Sequence, residues 1–80
     1  MAESERDARE FSFRVEEHLG TLGTDRRGWT KELNVVSWNR AEPKYDIRDW
    51  NPEHDQMARG VTLRKEEMRK LQELIKDITI

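Results

Sequence analysis

The sequence predicts an α+β domain in which four short strands form an antiparallel sheet and a single helix follows at the C-terminus. Apolar and polar residues alternate with a period of two along the first part of the chain, and turn-forming Gly, Pro and Asn separate the runs. The last segment instead carries apolar residues at helical spacing. Short connections favour a meander with the helix on one face, which leaves the other face to solvent, a second subunit or a ligand.

Alternation sets the strand positions. The predicted strands cover residues 10–19, 29–39, 44–50 and, weakly, 56–61. Three glycines within residues 20–28 predict a loop there. The apolar positions change parity near Val35 and Val36, which indicates either a bulge or a stretch buried on both faces. We expect Gly60 to allow unusual backbone angles before the helix.

The C-terminal segment is predicted to be an amphipathic helix. Thr62 is the expected N-cap, and Glu66 and Glu67 lie near the positive end of the helix dipole. The apolar stripe consists of Met68, Leu71, Leu74, Ile75 and Ile78. We expect this stripe to pack on the sheet; the alternative is a membrane-binding or groove-binding helix.

Composition excludes several classes of protein. Eighty residues allow one domain, and the absence of cysteine excludes disulfides, a thiolate nucleophile and a zinc ribbon. No apolar run is long enough for a membrane span, and the polar start is unlike a secretory signal. We expect residues 1–9 to be a disordered tail and residues 10–80 to be the domain. A chain that is 34% hydrophobic and lacks covalent staples gains most from oligomerisation.

No pattern in the sequence supports an enzyme. The two histidines, His18 and His54, lie far apart in the sequence and are expected in surface or turn positions. Gly20 and Gly23 lack the frame of a phosphate-binding loop, and Ser37 has no base near it in the sequence. We therefore predict no catalytic residues, no metal and no cofactor.

Charge and aromatic residues are concentrated in the middle of the chain. Residues 1–20 have six acids and three bases, whereas residues 26–50 have six bases and four acids together with all three tryptophans. Interleaved aromatics and cations suit base stacking and phosphate contacts. By alternation, Lys44, Arg48 and Trp50 share one face, and Trp29 shares its parity with Lys31. Two alternatives remain: the tryptophans fill the core, and Arg48 forms an ion pair with a neighbouring aspartate.

The stretch from Gly28 to Leu63 resembles the bacterial YdbC-type proteins of the positive cofactor four (p15) coactivator superfamily. Its most specific pieces are KELN at residues 31–34, VSWN at 36–39 and PKYDIRDW at 43–50, and ARGVTL at 58–63 resembles the segment that leads into the helix of that superfamily. The resemblance implies a curved four-stranded antiparallel sheet followed by one helix, a homodimer, and single-stranded DNA lying on the sheets.

The resemblance also suggests individual contacts. It implies that Arg48, Trp50, Trp38 and Arg59 touch DNA. The eukaryotic members carry a lysine in the turn before the third strand, which residues 39–42 here lack, and their regulatory tail is absent, so a coactivator role is not carried over.

The sequence therefore predicts a dimeric, sequence-tolerant single-stranded DNA-binding protein in the bacterial cytoplasm, serving transcription, replication or repair, without membrane or small-molecule partners. RNA binding and a protein–protein adaptor using the exposed sheet are the alternatives. The predicted nucleic-acid-binding residues are Trp29, Lys31, Trp38, Lys44, Arg48, Trp50 and Arg59.

Overall fold

A computed structural model describes residues 11–80, so the predicted tail at residues 1–9 lies outside the described residues. The elements are β1 (Phe13–Thr24), β2 (Thr30–Trp38), β3 (Lys44–Trp50), β4 (Val61–Leu63) and α1 (Lys65–Lys76). The strands form one antiparallel sheet in the order β1-β2-β3-β4. The predicted α+β class and element order are confirmed, and β3 has the predicted bounds, but the strand predicted at residues 56–61 is wrong in position, because β4 begins only at Val61.

Strand β1 is longer than predicted and contains three bulges. Its pairing with β2 shifts register after Val15, after His18 and after Thr21, and β1 contributes one extra residue at each step. The predicted loop at residues 20–28 is therefore wrong as far as Thr24, because bulges let the strand continue through Gly20 and Gly23. Repeated bulges on one strand bend and twist the sheet.

Of the two alternatives for the parity change near Val35 and Val36, a bulge within β2 is wrong, although the first bulge of β1 lies opposite these two residues. β2 pairs with β3 without interruption from Thr30↔Trp50 to Val36↔Lys44. The parity change instead reflects burial on both faces: Val36 is fully buried on one face, while Val35 on the other is half-buried.

Strong curvature brings the two ends of the sheet together. Phe13 lies opposite Trp38 at one end of β2, and Trp50 lies opposite Thr30 at the other. Eight residues of flat strand would separate these ends by about 26 Å. The ring centroids of Phe13 and Trp50 are nevertheless only 5.3 Å apart. The sheet therefore curls until its ends touch across the concave side.

The concave side, here called the inner face, is the core of the chain. It carries the even-numbered residues of β2 and β3, among them Glu32, Asn34, Val36, Asp46 and Trp50, which are all buried. The convex outer face carries the odd-numbered residues. These are Lys31, Leu33, Val35, Ser37, Tyr45, Ile47 and Asp49.

Helix α1 begins later than predicted. Thr62 stays in β4 because its hydroxyl donates to Asp46 Oδ2 at 3.0 Å, and Arg64 is the N-cap instead. The Arg64 N–H donates to Glu67 Oε1 at 2.8 Å, which satisfies one donor at the helix start. Gly60, which was expected to allow unusual backbone angles, does not have a positive φ; a Cβ at this position would instead collide with the Arg48 Cβ.

The helix covers little of the sheet. Among the described residues it approaches only β3 and β4, and it buries no side chain fully. Met68 and Leu71 are half-buried, whereas Leu74 and Ile75 are more than half exposed. The expectation that the whole apolar stripe packs on the sheet therefore holds only for its first part. In residues 11–80, no helix has the length and apolar character needed to cross a membrane.

Closure of the sheet predicts a large cost for removing Trp50. Trp50→Ala should lower the free energy of unfolding by about 3–5 kcal/mol, as expected for a buried aromatic. Trp29→Ala, which truncates a half-buried ring, should cost clearly less. Urea denaturation followed by circular dichroism measures both; equal losses would contradict the curled core.

Candidate nucleic-acid interface

An aromatic cluster occupies the place where the sheet ends meet. Phe11 and Phe13 lie against Trp38, with ring centroids 5.8 and 6.0 Å away. Phe13 also contacts Trp50, whose ring stacks flat on His54 at 4.3 Å. Phe11 is 62% exposed, and Trp38 is half-buried. The cluster thus runs continuously from the core to solvent.

Arg48 lies beneath this cluster in an ion pair. Its Nε donates to Asp46 Oδ1 at 2.6 Å and its Nη2 donates to Oδ2 at 2.8 Å. Its guanidinium carbon stands 4.6 Å from the centroid of the Trp38 ring, within cation–π range. Asp46 is fully buried, and the Arg48 side chain is only 14% exposed. The alternative of an Arg48–aspartate ion pair is the one observed.

The loop between β3 and β4 closes over the inner face. Asn51 organises it, since its Oδ1 accepts the N–H groups of Asp55 and Gln56 at 3.0 and 2.9 Å. His54 then reaches over Trp50 and donates from Nε2 to Glu32 Oε1 at 2.9 Å. The loop therefore covers the face on which the sequence predicts an exposed Trp50.

Glu32 is the acceptor of a buried polar network. Thr30 Oγ1 donates to its Oε2 at 2.6 Å, and Asn34 Nδ2 donates to its Oε1 at 3.0 Å. His18 Nδ1 donates in turn to Asn34 Oδ1 at 2.7 Å. Burial by itself would raise the pKa of Glu32, but the hydrogen bonds from Thr30, Asn34 and His54 outweigh it and hold the pKa below its ordinary value. The carboxylate is therefore kept ionised inside the core.

Both histidines are exposed, as predicted, with His54 in the loop after β3, and both converge on one region. His18 and His54 lie 3.6 and 2.9 Å from Glu32 Oε1. Even so, within residues 11–80 no three histidine or acidic side chains are arranged to hold a metal ion.

The Trp50 ring cannot stack on a nucleic-acid base in this structure. It has no exposed surface, because Phe13, His54 and the curled strands enclose its ring. The expectation of a ligand-facing Trp50 beside a free Arg48 is at odds with this burial. Alternation assigns the two residues correctly to one face, but that face is the interior.

The remaining predicted residues divide between the two faces. Trp29 and Lys31 line a cavity of about 290 Å³ on the outer side together with Asp49, which pairs with Lys31 Nζ at 3.4 Å. The Arg27 guanidinium stands 4.8 Å from the Trp29 ring centroid. The structure therefore does not bring Trp29 and Lys31 together with Trp38.

Lys44 and Arg59 are both exposed. Lys44 begins β3 on the inner-face side, opposite Val36. Arg59 follows Ala58, whose carbonyl oxygen accepts from Arg48 Nη1 at 3.4 Å. Lys44 thus pairs with a residue two positions before Trp38, and Arg59 directly follows a residue that contacts Arg48.

Sequence reasoning missed several members of the site. Phe11 and Phe13 were expected only as strand residues, and Glu32 and Asn34 were not expected to be buried. The KELN piece carries both of the latter, and their shared parity with Trp38 is the signal that could have placed them on its face. No local signal marks His54, which reaches Glu32 only through the loop.

The ionised Glu32 predicts an acid-sensitive contribution to stability. Glu32→Gln should lower the free energy of unfolding at neutral pH by about 2 kcal/mol, because hydrogen bonds to a buried charged group are lost. The folded-state pKa of Glu32 lies below its ordinary 4.5, so this contribution is complete above that pH and is lost as pH falls through the folded-state pKa.

Urea denaturation of the wild type and Glu32→Gln at a series of pH values measures this difference. The gap between the two should narrow towards acid. Glu42→Gln, in an exposed turn, is the matched control and should change stability little. A gap that stays constant at every pH would contradict the assigned role of Glu32.

Comparison with known proteins agrees with this architecture. The family model described as Transcriptional Coactivator p15 (PC4) matches residues 26–74, which include β2, β3, β4 and most of α1. A protein of Treponema pallidum (strain Nichols), described as an uncharacterized protein, is 39% identical over 71 residues, covering 89% of this chain and 84% of its own length. The resemblance seen in the sequence is thereby confirmed: the chain belongs to the Transcriptional Coactivator p15 (PC4) family.

Proposed function

We propose that this protein is a homodimeric, sequence-tolerant single-stranded DNA-binding protein without enzymatic activity. The observation that carries the proposal is the aromatic cluster at the mouth of the curled sheet, where an exposed Phe11 lies against Trp38. Membership of a family of nucleic-acid-binding domains supports it.

Stacking is the main source of affinity in this proposal. Single-strand-binding proteins place bases on aromatic rings, and each stacked base contributes about 1–3 kcal/mol. Phe11 and Trp38 form such a surface, and the Phe13 ring supports it from the core side. Trp50 contributes indirectly, because its buried ring holds Phe13 in place.

Exposed cations near the cluster supply phosphate contacts. Arg40 follows Trp38 in a tight turn, and the Ala41 N–H donates to the Trp38 carbonyl oxygen at 2.9 Å. Lys44 is exposed on the inner-face side of β3, and Arg59 is exposed in the loop between β3 and β4. Because each neutralised phosphate releases counterions, binding should weaken steeply as salt rises.

The proposed homodimer rests on uncovered apolar surface. Leu74, Ile75 and Ile78 are 56%, 55% and 58% exposed, and Val36 and Trp50 are the only fully enclosed apolar side chains among residues 11–80. A small chain with so little buried apolar surface gains stability by burying more against a second copy. We assign the helix stripe to that contact.

The binding proposal predicts that Trp38→Ala and Phe11→Ala each weaken binding of an oligo-dT of about 20 nucleotides by roughly 5- to 100-fold. Trp29→Ala, on the outer face, should have little effect by comparison. Quenching of tryptophan fluorescence, or anisotropy of a labelled oligonucleotide, measures affinity. Phe11 is exposed, so its variant tests binding even if Trp38→Ala proves unstable.

Matched ligands separate the alternatives. The proposal expects weaker binding of duplex DNA and of RNA with the same sequence. Stronger binding of RNA would favour an RNA-binding accessory protein. If a folded dimer binds no nucleic acid at low salt, the DNA proposal is wrong and the adaptor alternative gains support.

The dimer proposal predicts that Ile75→Glu produces monomers, because a charge on the apolar stripe cannot be buried without a partner. Lys70→Glu is the matched control: it places the same side chain on the exposed, polar side of α1, where Lys70 now pairs with Glu73, and should leave the dimer intact. Sedimentation velocity over a range of concentrations measures the state. A wild-type chain that stays monomeric would contradict the proposal.

A further inference from the structure

We infer that Asp46 is a positioning residue for the binding surface, holding Arg48 as a rigid support for the Trp38 ring, and that Arg48 is therefore not a phosphate ligand. The inference deepens the proposed function and rests on it for its effect on binding. Its structural part, the dependence of Trp38 on Asp46, stands on geometry alone.

The first step concerns the donors of Arg48. A guanidinium has five N–H donors. Two of the Arg48 nitrogens are aimed at the two carboxylate oxygens of Asp46, at 2.6 and 2.8 Å. The third, Nη1, faces the carbonyl oxygen of Ala58 at 3.4 Å and the sulfur of Met57 at 3.7 Å. Little hydrogen-bonding capacity remains for a phosphate.

The second step concerns the flat faces of the group. The Trp38 ring covers one region of the guanidinium, with its centroid 4.6 Å from Cζ. The backbone at Gly60 approaches Arg48 so closely that a Cβ there would collide with the Arg48 Cβ and with the carbonyl oxygen of Ile47. Gly60 is thus required for space, and Arg48 is enclosed between the covering loop and the aromatic cluster.

The third step concerns Asp46, which has no exposed surface. Besides Arg48, its Oδ2 accepts the hydroxyl of Thr62 in β4 at 3.0 Å. A buried carboxylate that lost its cation would be strongly unfavourable, so the pair is held together. Asp46 therefore links the edge strand, Arg48 and Trp38 in one rigid unit.

The cations therefore have different roles: Arg48 supports the Trp38 ring, and exposed cations contact phosphates. Arg48 and Asp46 together carry no net charge towards a ligand, so Arg48 should add nothing to the release of counterions. An exposed cation such as Arg59 should add its full share. The salt dependence of binding can tell these roles apart, because its slope for single strands is about −0.7 per neutralised phosphate.

The structural arm of the test uses protein labelled with 5-fluorotryptophan and ¹⁹F NMR. Trp29→Phe and Trp38→Phe assign the resonances. Asp46→Asn, Arg48→Lys and the milder Thr62→Val should each shift or broaden the Trp38 resonance and leave that of Trp29 in place. The matched control is Asp49→Asn, the same change on the outer face of the same strand, which should leave the Trp38 resonance unmoved.

The binding arm measures oligo-dT affinity against salt. Asp46→Asn and Arg48→Lys should each weaken binding by about tenfold, the scale of one weakened stack, and Arg48→Lys, which keeps the charge of the pair, should leave the slope unchanged. Arg59→Ala should lower the magnitude of the slope by about 0.7. Arg48→Lys keeps the positive charge, so a phosphate contact would largely survive this change. The planar guanidinium that supports the Trp38 ring would be lost.

The outcomes separate the two proposals. An unmoved Trp38 resonance in folded Asp46→Asn and Arg48→Lys overturns the positioning role. If the charge-balanced double variant Asp46→Asn/Arg48→Met reduces the slope as Arg59→Ala does, Arg48 is a phosphate ligand and the inference is wrong. If the wild type binds no nucleic acid but the Trp38 resonance still moves in these variants, the proposed function fails while the positioning role of Asp46 stands.

Discussion

The contact between Phe13 and Trp50 is the constraint on which the rest of the structure depends. It joins positions that a flat sheet would hold far apart, so it can form only because β1 bends through three bulges. Once the ends meet, the even-numbered residues of β2 and β3 face an enclosed space and the odd-numbered ones face outwards. Core, loop closure and aromatic surface all follow from that curl.

A curled sheet of this size must bury polar groups as well as apolar ones. Glu32 and Asp46 are enclosed, and each is surrounded by donors: Thr30, Asn34 and His54 for the first, Arg48 and Thr62 for the second. Buried carboxylates are tolerated when their hydrogen bonds are satisfied, and such networks favour one arrangement over looser packings. The polar interior therefore fixes the loop and the Trp38 ring in addition to filling space.

Local sequence patterns correctly predicted the features that depend on residues close to one another in the chain. The bounds of β3 and the helical stripe follow from alternation and spacing along the chain. The bulges of β1 do not follow from the sequence pattern. Each bulge keeps the backbone extended but exchanges the faces of the sheet on which odd- and even-numbered residues lie. Parity also assigned Arg48 and Trp50 correctly to one face, but exposure depends on curvature and on a loop that closes from elsewhere in the chain. His54 could not be placed for the same reason.

The charge of the chain acquires a different meaning in this fold. Composition counts Glu32, Asp46 and Arg48 as surface charges, yet the structure encloses the two carboxylates and compensates the arginine within the core. Neither carboxylate then contributes an exposed negative charge to the protein surface. In the proposed function, a ligand at Trp38 would meet an aromatic surface and an adjoining segment in which the exposed cations Arg40 and Lys44 outnumber the exposed Glu42. A chain with a net negative charge can therefore have a locally basic surface, because two of its carboxylates are buried in the core that supports the aromatic rings.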